Sequence, residues 1–350
     1  MEPVTHLMTG AVLARAGLNR KAAYATLAMV LAAEAPDLDT LWSIDGPVAA
    51  LQHHRGWTHT LLGLPFEALL IVGAIWLLHR WRTKRGSTTT LAPIRWNLLY
   101  PFCLIALLSH ILLDWTNNYG VRPFFPFNPH WYAGSFVFIF EPVLFAILLI
   151  ALVAPYLFDL INSEVGARRQ TFRGRGWAIA ALIGIVALWS WRAIEHSHAI
   201  DLATARNYNG APIKRVFASP YPGNPYRWHV IVETPTFYQL AKADTWNNRL
   251  TKAPDDLLYK PQTTLATLAA KRSWLGEAYL DWSSYPLVTD AGLSGDLDYT
   301  GLTVVTFHDL RFLYDTPFLH GREHPPLSGT VFLNQDHRVV RMEMDGRAQH

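Results

Sequence analysis

Cysteine is nearly absent: Cys103 is the single one in 350 residues. No intrachain disulfide can form, so thiols give no reading of the compartment. Charge is also scarce. Asp, Glu, Lys and Arg make up 16% of the chain against 51% hydrophobic residues, low for a soluble domain of ordinary composition. The net charge of +3 lacks the basic excess that a nucleic-acid partner requires, and none is expected. The N-terminus lacks a basic region followed by an apolar core and a cleavage site, so no cleaved signal peptide is expected. There is no internal repeat and no low-complexity segment.

What the chain has is apolar length. Four stretches, roughly 60–81, 97–115, 136–158 and 177–194, are long enough to span a bilayer. Ahead of them, 5–17 and 21–34 are two shorter apolar helices, broken by Ala35-Pro36-Asp37-Leu38-Asp39. They read as a hairpin that enters the membrane partway, with His6 and Asp37 close together at its open end. Residues 40–58 read as a loop. Basic residues crowd the 80–95 loop (Arg80, Arg82, Lys84, Arg85, Arg95) and the 159–176 loop (Arg168, Arg169, Arg173, Arg175). The 116–135 loop carries only Arg122. The positive-inside rule puts the two basic loops in the cytoplasm. His59, His110, Asp114 and everything after residue 196 are then outside.

Beyond residue 196 the character changes. Residues 1–200 carry 15 Lys/Arg against 11 Asp/Glu; 201–350 carry 15 against 16. Val216–Ala218, Arg227–Thr234, Gly301–Phe307, Gly329–Leu333 and Arg338–Met344 read as strands, and 262–282 has helical spacing. The expected fold is a mainly α membrane bundle, residues 1–196, of four spanning helices plus the short N-terminal hairpin. A small extracytoplasmic α+β domain, 197–350, follows it. The expected location is the inner (plasma) membrane, multi-pass.

Two motifs carry the chemistry. One is His53-His54-Arg55-Gly56-Trp57-Thr58-His59-Thr60; the other is Ser109-His110-Ile111-Leu112-Leu113-Asp114. His110 and Asp114 are four apart and share one helix face. An ionisable pair at a membrane helix end is costly and points to a site. Helices 60–81 and 97–115 are antiparallel, so His59 comes to the same end. His53 and His54 point to opposite sides if extended, and His54 is taken as the ligand. Asp37 serves either as a cap or as a ligand. Together His6, Asp37, His54, His59, His110 and Asp114 form a mixed His/carboxylate set suited to a divalent ion, zinc first. Arg55 holds either a phosphate oxygen or a ligand carboxylate. Glu67 and Glu141 are rare membrane acids that read as outer partners of the site or proton carriers. Glu195, His196 and His198 read as a juxtamembrane linker. His308-Asp309, His320 and His324 lack ligand spacing. Pro220 to Trp228 reads as a rigid aromatic turn.

The order and spacing of His6, Pro36-Asp37-Leu38-Asp39, His54-Arg55-Gly56-Trp57-Thr58-His59 and Ser109-His110-Ile111-Leu112-Leu113-Asp114 resemble the YdjM-like family of membrane-bound, metal-dependent hydrolases. The resemblance covers about residues 1–160. More distantly, the His/Asp pattern is similar to zinc-dependent phospholipase C. It implies phosphoester hydrolysis, with membrane lipids as surroundings and a lipid or lipid-linked phosphoester as substrate. His54, Arg55 and Asp114 would then take the catalytic roles. A non-catalytic membrane protein with a structural polar cluster and a partner-binding C-terminal domain is the alternative. A transporter fits less well, because the charged groups gather at a membrane edge and not at the midplane.

Overall fold

The computed structural model describes residues 1–87, 90–164, 172–295, 297–315 and 325–349. His320 and His324 lie outside them, as do Arg168 and Arg169. By its contacts the chain divides into two compact units. One comprises Met1–Leu38, Arg55–Glu195 and Pro220–Pro225; the other comprises Asp39–His54, His196–Ser219 and Tyr226–His350.

The first unit is helical. Helices α1 (Pro3–Arg15) and α2 (Ala25–Glu34) form the short hairpin. They pack closely because small residues face each other. A Cβ on Gly10 would lie 2.5 Å from the Met29 carbonyl oxygen and 2.8 Å from Ala33 Cβ, an approach that glycine alone permits. A 3₁₀ run covers Ala35–Asp45, and in the second unit α3 (Pro47–His53) is a short helix inside the stretch read as a loop. Four further helices follow: α4 (Leu64–Lys84), α5 (Trp96–Thr116), α6 (Pro142–Glu164) and α7 (Arg175–Thr204). These four are long and apolar enough to cross a membrane. α2 packs between α1 and α5, and α4 packs on α5. Alanines 14, 25, 28, 32, 33 and 106 fill the shared core.

Among the boundaries that differ from the sequence expectation, two bear on residues named there. The third span starts at Pro142 and not near 136, because proline is suited to the first helical position, where its missing N–H is not needed. α7 runs on to Thr204, so Glu195, His196 and His198 are helical and not linker. His196 Nε2 lies 3.1 Å from the Ala218 carbonyl oxygen, and His198 Nε2 lies 2.8 Å from Asn248 Oδ1. These partners give the polar end of the helix a place to bond beyond its apolar stretch.

The remaining strands make two five-stranded sheets. The first runs β1 (Arg215–Tyr221), β2 (Asn224–Glu233), β3 (Phe237–Asp244) and β4 (Arg249–Thr251), with β5 (Leu257–Tyr259) also pairing β3. Between the sheets in sequence lie α8 (Leu265–Lys271) and α9 (Trp274–Trp282). The 262–282 helix is therefore two helices. Ser273 breaks it by accepting from the Gly276 N–H as an N-cap. The second sheet is β6 (Pro286–Leu293), β7 (Thr303–Asp309), β8 (Gly329–Leu333), β9 (Val339–Met344) and β10 (Arg347–Ala348), in the order β10-β9-β8-β7-β6. α3 packs on α9 and β9. The Gln349 side chain reaches the Asp45 carbonyl at 2.6 Å and accepts from the Val48 N–H at 2.9 Å. These contacts explain why Asp39–His54 belongs to the second unit.

Candidate metal centre

α5 places His110 and Asp114 one turn apart, both fully buried. α2 ends at Glu34, and the 3₁₀ run beyond it presents Asp37. His59 closes a short 3₁₀ turn, Trp57–His59, just before α4. All four side chains meet where α5 ends and α4 begins.

Their four donor atoms all lie within 4.8 Å of one another. His59 Nε2 and His110 Nε2 are 3.1 Å apart. Asp37 Oδ1 lies 3.4 Å from His59 Nε2 and 3.6 Å from His110 Nε2. Asp114 Oδ2 lies 3.5 Å from each of the two imidazole nitrogens. A tetrahedral ion with bonds of about 2.0–2.1 Å separates its ligand atoms by about 3.3–3.4 Å. The five distances bracket that edge length.

The proton positions point the same way. His110 Nδ1 is 2.7 Å from the Ala33 carbonyl oxygen. A carbonyl only accepts, so Nδ1 carries the proton and Nε2 presents a lone pair. That carbonyl belongs to the last turn of α2, where helix carbonyls lack intrahelical partners. A lone pair facing two carboxylate oxygens is repulsive unless a cation lies among them. Burial would raise the Asp37 carboxyl, but other interactions, its hydrogen bond with His59 the largest, outweigh this and hold it down to about 2. Asp37 is therefore an anion at neutral pH, as a cation site requires. Two imidazoles and two carboxylates suit a borderline divalent ion.

Arg55 locks the fourth ligand. Its backbone is left-handed, with φ +53°, and the residue is buried. Nη2 donates to Asp114 Oδ1 at 2.8 Å and Nη1 to the Gly120 carbonyl at 2.7 Å. The guanidinium also lies over the Tyr119 ring, 4.7 Å from its centre. The sequence does not single out Asn117 or Gly120, and it offers Tyr119 only as one of the aromatic residues of an interfacial loop. The polar pair Asn117-Asn118 directly after Asp114 was the available signal. The Met1 amine also contacts Asp114 Oδ1.

The other expected residues divide. His6 is fully buried, stacks on His110 at 3.8 Å between ring centres and puts Nε2 3.4 Å from Asp114 Oδ1. It stands against the four-residue group. His54 belongs to the second unit, where its Nδ1 lies 3.0 Å from Asp39 Oδ1. The group forms without it. His53 stacks on Trp42. Glu67 sits in the first turn of α4, where the helix dipole favours an acid. Glu141 pairs with Arg192 of α7, and both are buried. It balances a buried arginine.

The sequence model of the YdjM inner membrane protein matches residues 1–199, which include all four donors and Arg55. The chain belongs to this family. Among curated proteins it is similar to the uncharacterized protein YfhP of Bacillus subtilis (strain 168), with 26% identity over 164 residues. That match covers 45% of this chain and 46% of the relative, so the chain spans about half the length of the curated relative it matches. No solved structure matches. Membership of an inner membrane protein family and the four apolar helices agree on a membrane protein.

Proposed function

We propose that the protein is a membrane-bound, metal-dependent hydrolase acting on a lipid or lipid-linked phosphoester at the outer membrane face. The observation that carries this reading is the spacing of the Asp37, His59, His110 and Asp114 donor atoms. These four residues would hold the ion, with zinc first among candidates. A divalent ion there would supply Lewis acidity to a phosphoryl oxygen and to an attacking water. Arg55 and Asn117 orient Asp114, and the Ala33 carbonyl orients His110. Asp37 is the partly exposed member of the group, so the substrate approaches on its side. The level of the site suits a headgroup, which favours a lipid over a soluble substrate.

The test is turnover of phospholipids and lipid phosphates by the metal-loaded protein in nanodiscs. His110→Ala and Asp114→Ala should each bring hydrolysis to background while insertion is retained. Activity equal to wild type in both would remove the assignment. The orientation is checked separately: a reporter fused after His350 should report outside, and a cytoplasmic signal would reverse it.

A second reading rests on the Arg55 network. Asp114, Asn117, Gly120 and Tyr119 already bind Arg55, so the cluster would serve to tie α5 to its loops in a non-catalytic protein. The same substitutions would then lower folded yield, and no lipid would be turned over.

A further inference from the structure

A cavity of about 660 Å³ opens at the other end of the helical unit, between the α1–α2 turn and the ends of α4 and α6. Its volume is that of a small-ligand site. Arg82, on its wall, lies about 27 Å of helix rise from the start of α4, next to which the metal centre sits. The cavity is thus separate from that centre.

Its wall is cationic and carries no acidic side chain among the described residues. Arg15, Arg82 and Arg173 line it. Arg173 is balanced by Asp159 at 2.6 Å. The other two meet neutral groups only: Arg15 donates to the Leu152 carbonyl and the Tyr156 hydroxyl, and Arg82 to the Ser87 hydroxyl. No carboxylate among the described residues pairs with either. Asn19 Oδ1 is buried there without a hydrogen-bond partner among the described residues. Leu27 and Leu91, both exposed, also line the cavity. Two uncompensated guanidiniums beside exposed leucines match an anionic head joined to an apolar tail. Basic pockets between membrane helices are a recurring way to hold such lipids.

We propose that this cavity is a binding site for the phosphate headgroup of an anionic phospholipid, with Arg15 and Arg82 as the phosphate contacts and Leu27 and Leu91 against the chains. Nothing in the hydrolase reading requires it.

The test is native mass spectrometry of the full-length protein in detergent, with phosphatidylglycerol and phosphatidylcholine added in equal amounts. Wild type should retain phosphatidylglycerol preferentially. Arg82→Gln and Arg15→Gln should each lower that preference about fivefold, the effect of one lost cation near a phosphate. Arg80→Gln is the control: Arg80 is two residues from Arg82 on the same helix, lies over Trp76 and is outside the cavity, and its removal should change nothing. If Arg15→Gln fails to fold, Arg82→Gln carries the test, because Arg82 makes only a hydrogen bond to the exposed Ser87 hydroxyl and a distant contact, 5.9 Å, over the Tyr24 ring. Unchanged retention in Arg82→Gln, or an equal loss in Arg80→Gln, would overturn the proposal. Saturable binding of inorganic phosphate with the same arginine dependence, and no preference between the two lipids, would overturn the lipid in favour of a soluble phosphate.

Discussion

His59 Nε2 and His110 Nε2 face each other across 3.1 Å, although 51 residues separate them in the chain. Two imidazole nitrogens at that distance share either a proton or a cation. Because Asp37 and Asp114 complete the group, the cation accounts for all four. Detergent-purified protein should hold about one equivalent of a transition metal, as four ligands define a single tetrahedral site. His59→Ala/His110→Ala should hold none. Elemental analysis of both proteins reads this directly, and an equal content would show that the metal binds elsewhere.

Arg55 should set the affinity of that site without being a ligand. Its Nη2 fixes Asp114 Oδ1 and leaves Oδ2 directed at the two histidines. Loss of such an outer partner lowers metal affinity about 10–100-fold. Arg55→Lys, which cannot reproduce the planar fork, should show most of that loss in a competition titration with a chelating dye. Affinity within a factor of about two of wild type would show that the other contacts of Asp114 Oδ1, from Asn117, His6 and the Met1 amine, suffice.

Glu141 and Arg192 are buried together, and Arg192 also donates to the Asn224 carbonyl at 2.9 Å. Glu141→Gln leaves a buried guanidinium without its counter-charge, which costs about 3–5 kcal/mol. The thermal midpoint in detergent should fall clearly, and Glu141→Gln/Arg192→Met should recover part of the loss. A midpoint unchanged in the single variant would mean that water reaches Arg192.

In the second unit, Asp309 is bound by Arg311, with Nη2 to Oδ2 at 2.8 Å, and by the Ser283 hydroxyl at 2.5 Å. Burial alone would raise the Asp309 carboxyl, but Arg311 and these hydrogen bonds bring it below its ordinary value. A depressed folded-state value means stability that is present above the unfolded value, about 3.9, and lost as pH falls through the folded one. Hydrogen exchange of the β6–β7 amides should therefore be level from neutral pH to about 4, after correction for intrinsic rates, and lose protection below it. Asp309→Asn should lower protection at neutral pH and flatten the acid limb. A wild-type limb in the variant would assign the acid response to another carboxylate.

Much of this protein was legible in one dimension. Four apolar stretches announced four long helices, since an 18- to 20-residue apolar run has few other folds. His110 and Asp114 were legible as a pair because four residues make one helical turn. The edges were harder. The sequence does not announce β3 and β6, because Lys242, Asp244, Thr289 and Asp290 dilute their apolar pattern, nor the two- and three-residue strands β4, β5 and β10, which are too short to show one. The 262–282 helix was read through Ser273, because helical spacing continues across a break that only a side-chain cap reveals.

The sequence by itself determined the spans, the family and the residue types of the centre. Each of these is a local property, readable from composition, periodicity or motif. The tertiary structure alone decided which histidines converge. His54 and His59 are five residues apart, yet His59 joins Asp37, His110 and Asp114, while His54 turns to Asp39 in the other unit. Arg55, which follows His54 with a left-handed backbone, donates its guanidinium to Asp114. Such a division depends on contacts from segments distant in the chain, and no spacing within a motif records them.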